Sequence, residues 1–363
     1  MHPNLHELLF FGGFLLFIGL MLSLDLGLFN RKSHEVKFRE AALWTLCWVS
    51  ISVLFFLFLR FYGHELHDLR DIGQIQEKVA LYKHPVTITD TMSVPEAQAV
   101  YNRNLSLEYL TGYLIEYSLS VDNIFVIIMI FLSFGIKKKY YHRILFWGIL
   151  GAVVMRFLFI FTAGVLIRNF EWVLYLFGGL LVAVGVHMGY EFYREFFRHH
   201  PQTRKDPHDH FVVRWLSKVF LVSKEDKGDR FWIREGGKFF ITPLFIVLVL
   251  VEFSDVVFAV DSVPAVFSVT RDPYIVFFSN IFAILGLRSL FFLVINFMGL
   301  RFLKASLALL LMFVGLKMLS EIFWDHLFTT NQSLLIIVLI LGTGIVASLL
   351  FPGKKHPPEV NII

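Results

Sequence analysis

Nine apolar runs, at residues 5–28, 38–62, 107–134, 143–167, 171–192, 239–267, 274–298, 303–323 and 333–351, dominate this chain of 363 residues. About 20 consecutive apolar residues cross the hydrocarbon core of a bilayer as a helix. In that solvent every backbone N–H and C=O must find a partner inside the segment, so such runs become helices rather than open strands. The expected fold is an all-α polytopic membrane protein with nine transmembrane helices. Composition points the same way: 56% of residues are hydrophobic, 42 are Phe and only 17% are charged, which excludes an ordinary soluble domain.

Orientation follows from where Lys and Arg collect, because short basic loops stay on the cytoplasmic side. Arg31, Lys32, Lys37 and Arg39 follow the first run, Lys137 to Arg143 the third, Arg194 to Lys238 the fifth, Arg301 and Lys304 the seventh, and Lys354 and Lys355 the ninth. These are alternate connections, so the N-terminus is expected outside and the C-terminus in the cytoplasm. The first run has no basic residue before it and is longer than a signal-peptide core, so it reads as a retained anchor. The formal charge of +4 is accounted for by basic loops beside anionic lipid and needs no nucleic acid. Cys47 is the only cysteine, which rules out an intrachain disulfide or a thiolate metal cluster.

Internal similarity organises the runs further. EYSLSVDN at 116–123 matches DVVFAVDS at 255–262, GAVVMRFLF with Arg156 matches AILGLRSLFF with Arg288, and VGVHMGYE at 184–191 matches VGLKMLSE at 314–321. Helices three to five thus resemble helices six to eight. An odd number of spans per repeat makes the second copy enter from the opposite side, the inverted arrangement of many secondary transporters, whose sites lie at the midplane. The expected division is 1–62 as a two-helix unit, 63–106 as an extracytoplasmic segment, 107–192 as the first repeat, 193–238 as a basic cytoplasmic loop, 239–323 as the second repeat, and 324–363 as the last helix and a cytoplasmic tail.

Six acids, Asp25, Glu116, Asp122, Glu252, Asp255 and Asp261, fall inside the runs. A charge at the centre of a membrane helix costs about 2.5 to 3.5 kcal/mol on insertion scales, and such residues mark ion pathways or proton relays. Only Arg156 and Arg288 stand at comparable depth, so the remaining negative charge calls for a bound cation, protons, or both. With Asn123, Ser262, Ser118, Ser120 and Ser254 nearby, the donor set is oxygen-only, which suits Mg, Ca or Mn and argues against copper(I) or zinc thiolate chemistry. Glu116, Ser120 and Asn123 share a helix face, whereas Asp122 lies roughly 120° away. Pro264 has no N–H to offer the Val260 carbonyl and is expected to distort its helix beside Asp261. Arg156 and Arg288 read as ion-pair partners of the acids, or as groups that replace the ion in the empty state. Lys317 and His187 read as snorkelling side chains. HELHD at 64–68 and HHPQTRKDPHDH at 199–210 offer His and Asp to metal, with a solvated polar segment as the simpler reading of each.

TGYLIEYSLSVDNIF at 111–125, LVEFSDVVFAVDSVPAVFSVTRDP at 250–273, SNIFAILGLRSLFF at 279–292 and LDLGLFNRKSHEV at 24–36 resemble the signature segments of the TerC/Alx family of integral membrane proteins. The resemblance implies nine helices, a role in manganese export or homeostasis, a link to tellurite resistance, and supply of metal to secreted enzymes near the secretion machinery. It places the family's acidic positions on Glu116, Asp122, Glu252, Asp255 and Asp261, with Asn123 and Ser262 beside them. The expectation is therefore a transporter of the bacterial inner membrane that moves Mn2+ outward by alternating access, with protons as a candidate coupling ion and no enzyme site. Its rivals are a stress-response scaffold that uses the 193–238 loop, and a calcium or broad divalent-cation antiporter.

Overall fold

A computed structural model describes residues 5–25, 38–134, 136–170, 172–197, 221–222, 230–235, 238–294, 302–320, 328 and 330–351. The histidine-rich stretch 199–210, the tail beyond residue 351, and the side chains of Asp25, Asp122 and Asp261 lie outside the described residues. Among the described residues are eleven α-helices: α1 Leu5–Asp25, α2 Phe38–Tyr62, α3 Ile72–Tyr82, α4 Val94–Ser133, α5 Tyr141–Asn169, α6 Trp172–Phe197, α7 Pro243–Phe267, α8 Pro273–Leu285, α9 Leu287–Val294, α10 Leu303–Ser320 and α11 Thr330–Leu350. A helix stands in each of the nine apolar runs, and this is an all-α membrane protein. Among the described residues five segments, Phe38–Leu66, Tyr141–Ile167, Pro243–Phe267, Pro273–Leu293 and Gln332–Leu350, are long and apolar enough to cross a membrane.

The structure departs from the sequence reading in four places. The seventh run is broken at Gly286 into α8 and α9. The 63–106 segment is mostly helical: a 3-10 turn at Gly63–Leu66, then α3, then the first turns of α4. Ser93 and Glu96 explain why α4 starts so early, since the Glu96 carboxylate accepts from both Ser93 N and Ser93 Oγ, at 2.9 and 2.8 Å, the reciprocal half of a capping box. The 40 residues of α4 extend about 60 Å at 1.5 Å each, so it stands well clear of the bilayer. Finally, a small sheet precedes α7: β2 Trp232–Glu235 pairs antiparallel with β3 Lys238–Ile241, and β1 Leu221–Val222 joins β3 in parallel.

Packing centres on α8, whose residues Ile275–Leu285 are all buried. It is enclosed by α4 and α5, with α7 and α2 alongside, while α6 pairs with α10. Phenylalanines fill the centre: Phe14 of α1 meets Phe278 with ring centroids 4.4 Å apart, and Phe55 of α2 meets Phe282 at 4.9 Å. Such rings contribute large buried area and edge-to-face attraction, which explains the Phe-rich composition. Outward positions carry exposed leucines such as Leu16, Leu43, Leu54 and Leu349, the surface expected of a chain solvated by lipid tails. Asp272 and Pro273 open α8 as N-cap and first residue, the Asp272 Oδ1 accepting from Tyr274 N at 2.9 Å.

Candidate ion site and cap contacts

Arg156 organises the interior. It projects from α5, is fully buried, and reaches three other helices. Its Nη2 donates to Asp255 Oδ1 at 3.1 Å and its Nε is 3.4 Å from Asp255 Oδ2, a two-pronged hold on α7 that the planar guanidinium favours. Its Nη1 donates to Glu116 Oε1 of α4 and to Asn280 Oδ1 of α8. Glu116 and Asp255, the matching acids of the two sequence repeats, are therefore gathered by one arginine.

Unpaired polar atoms recur on the helices that meet at this hub. Glu116 Oε2, Ser120 Oγ, Asn123 Nδ2, Ser262 Oγ and Asn280 Nδ2 are buried without a hydrogen-bond partner among the described residues. A buried polar group left unbonded costs roughly 1 to 3 kcal/mol; two of these atoms belong to Glu116 and Asn280, which Arg156 itself holds together, and they mark a place built to hold something polar. Glu116, Ser120 and Asn123 lie on one buried face of α4, as their spacing predicts. Ser118 and Ser254 donate back to the carbonyls of Leu114 and Leu250, at 2.6 and 2.8 Å, leaving their lone pairs for other partners.

Asn123 and Asp255 also line an open pocket between α4, α5 and α7, whose walls include Ile284 and Leu287. Glu252 stands one turn before Asp255 on α7. Its carboxylate rests against Gly151 of α5, where a Cβ would lie 2.1 Å from Glu252 Oε1; the glycine makes room for the acid. Of these three carboxylates, Glu116 and Asp255 share one arginine. Among the described residues no group of three or more His, Cys, Asp and Glu is set to hold a metal ion.

Other predicted residues take different roles. Arg288 is buried on α9, and its Nη1 is 3.0 Å from His142 Nε2; since guanidinium can only donate, His142 accepts. Lys317 does not snorkel: it is buried and its Nζ donates to Ser268 O at 3.0 Å, just past the C-terminus of α7, where a cation is favoured. His187 is exposed and lies 3.3 Å from Glu191. Pro264 falls in the last turn of α7, which continues to Phe267, so it leaves the helix unbroken. Asn280 and Gly151 went unremarked in the sequence, although an Asn within the apolar SNIFAIL run was a visible signal.

HELHD does not form a metal-binding pair. His64 Nδ1 faces Asn102 Nδ2 at 3.0 Å, whereas His67 Nε2 donates to Asp272 Oδ2 at 2.9 Å, both side chains fully buried. Nearby, His84 Nδ1 donates to Glu108 Oε1 at 2.9 Å, and Asn104 Nδ2 donates to the same oxygen at 2.7 Å. Burial opposes a charged His84, but the Glu108 carboxylate, helped by Asp272, outweighs it and holds the imidazole above its usual range. Burial likewise opposes an ionised Asp272, yet the attraction and hydrogen bond of His67, with His84 and Tyr274 N, keep its carboxyl below the ordinary value.

Comparison with known proteins agrees with this architecture. The profile of the "Integral membrane protein TerC family" matches residues 101–356. An uncharacterized membrane protein of Myxococcus xanthus is 38% identical over 95% of this chain and 93% of its own. A protein of Escherichia coli (strain K12) with the provisional name membrane-bound redox modulator Alx is 39% identical over 87% of each chain. A Rickettsia bellii membrane protein is 35% identical over 91% of this chain and 93% of its own. No solved structure matches.

Proposed function

The chain belongs to the TerC family of integral membrane proteins, and from that premise we propose that it is a bacterial inner-membrane transporter exporting divalent cations, Mn2+ foremost. Residues 107–192 and 239–323 act as inverted repeats that alternate access to a shared acidic site, and all nine apolar helices cross the membrane. The observation that carries this reading is the Arg156 hub: one buried cation holds matching acids of both repeats among unpaired oxygen and nitrogen donors.

Arg156 serves as the resident counter-charge of the empty site. An arriving divalent ion takes the carboxylates of Glu116 and Asp255, with Asp122 and Asp261 as central ligands and Asn123, Ser262 and Asp25 completing the shell, while Arg156 turns to Asn280. Glu252, beside Asp255 and free to rearrange against Gly151, carries the coupled proton. The side-chain chemistry supports a hard cation, since the donors are oxygen atoms. Packing supports the repeats: Gly185 and Gly315, equivalent in the two copies, each meet the facing helix so closely that a Cβ would lie 2.7 Å from Met312 Cγ and from Gly178 O, respectively. The redox role in the relatives' name finds no dithiol here, because Cys47 is the chain's only cysteine.

The test is total cellular Mn, Fe, Zn, Ca and Mg after a manganese challenge, in cells making wild type, Asp122→Asn or Asp261→Asn at equal membrane levels. Lower Mn with wild type alone supports export through the acids. Equal metal content in all three rejects it and turns attention to a scaffold acting through the 193–238 loop, whereas a change in Ca alone favours a calcium antiporter.

A further inference from the structure

The 63–106 segment plays no part in the ion site, yet it brings two histidines into the protein interior. His67, after the 3-10 turn, and His84, just past the left-handed cap Lys83 of α3, enter from the same segment. Their partners belong to the helical bundle: Asp272 at the start of α8 and Glu108 on α4. All four side chains are almost wholly buried. His84 Nε2 and Glu108 Oε2 are buried without a partner among the described residues, so the cluster keeps proton-accepting capacity beyond the bonds it makes. Glu108 also lines a pocket of about 490 Å3 whose walls include Lys83, Pro85, Ser268, Arg271 and Lys317. The segment therefore contributes Tyr82, Lys83 and Pro85 to the pocket wall, and two histidine–carboxylate pairs tie it to the bundle.

We propose that His67–Asp272 and His84–Glu108 form a proton-binding clasp that holds the 63–106 cap over this pocket and releases it as the histidines lose their protons. A neutral imidazole beside an ionised carboxylate keeps one hydrogen bond but loses the charge attraction that offsets burial of the acid. Among the described residues, neutral side chains pack directly against the clasp. Tyr82 and Tyr274 flank the His67 ring, Tyr82 and Tyr101 flank His84, and Asn104 contributes a neutral donor to Glu108. Lys83, Arg271 and Lys317 also line the pocket wall.

The sign follows from linkage. His84, held above its ordinary value of 6.5, stabilises the closed cap fully below that value, and the contribution is lost as pH rises through the raised value. Asp272, held below its ordinary value of 3.8, contributes above it, and its share is lost only as pH falls through the lowered value. The clasp is thus tight from about pH 4 to 6.5 and loosens toward alkaline pH, with the open fraction growing by up to about tenfold per pH unit for each proton released.

Hydrogen exchange of the full chain in lipid nanodiscs, corrected for the intrinsic pH dependence of amide chemistry, tests this without reference to metal transport. Between pH 6 and 9 the corrected exchange of α3 amides should rise at least about tenfold in wild type, with α7 amides unchanged. His67→Gln/His84→Gln, whose side chains donate but do not titrate, should show no such rise. A flat wild-type profile overturns the clasp, as does an undiminished rise in the double variant. Should that variant not fold, Glu108→Gln serves the same comparison, and a wild-type-like slope in it again counts against the proposal.

Discussion

Two buried charge clusters on the same helices behave as opposites. In the interior, Arg156 holds Glu116 and Asp255; at the cap end, His67 and His84 hold Asp272 and Glu108. Arginine keeps its charge at every physiological pH, so the inner acids can be released only if another cation takes its place. Histidine surrenders its charge near neutrality, so the outer pairs answer to protons alone. The type of cation decides what each cluster can exchange. The inner one is suited to ion substitution, and the outer one to sensing pH.

The sharpest way to break the contrast is Arg156→Ala. It strands the buried carboxylate of Glu116 and the partly buried one of Asp255, and removing one partner of a buried ion pair typically destabilises by about 3 to 5 kcal/mol. Thermal unfolding in detergent should show a large drop, with Arg156→Lys recovering part of it but not the two-pronged hold on Asp255. Glu108→Gln is expected to be milder, near 1 to 3 kcal/mol, since Asn104 and His84 remain as hydrogen-bond partners. Its loss should be confined to exchange of the cap amides, leaving α7 and α8 protected. Gly151→Ala ranks next. The new Cβ would collide with the end of the Glu252 side chain, which can swing away, so stability should fall by no more than about 1 kcal/mol while manganese efflux from loaded cells slows several-fold. Ser118→Ala is the control at the bottom of the series: its hydroxyl donates only to its own helix, and stability should change by less than about 0.5 kcal/mol.

The helices were legible because the length of an apolar run and the cost of an unbonded peptide in lipid leave little choice of structure. The acids at 116, 252 and 255 were legible for the same reason, since a carboxylate in such a run stands out against leucine and phenylalanine. Partnership was not. Arg156 meets Asn280 across 124 positions and His67 meets Asp272 across 205, and no local pattern encodes a contact at that distance. HELHD therefore offered its histidines to metal, whereas the 3-10 turn sends His64 to Asn102 and His67 to the bundle. The break at Gly286 was equally hidden: its neighbours are apolar on both sides, and the glycine fits where Tyr117 and Trp48 pack close by. The early start of α4 was written in Ser93 and Glu96, a cap signature that lies outside the apolar run that defined the span.

The most direct test of the central claim is Mn2+ binding to the purified protein in lipid nanodiscs, followed by electron paramagnetic resonance of the free ion. Wild type is expected to remove Mn2+ from solution saturably, and Glu116→Gln/Asp255→Asn, folded as judged by circular dichroism, to bind at least about tenfold more weakly, a difference of one charge-assisted contact. Equal binding by the two proteins, or none by wild type, would contradict the assignment of the Arg156 cluster as a cation site.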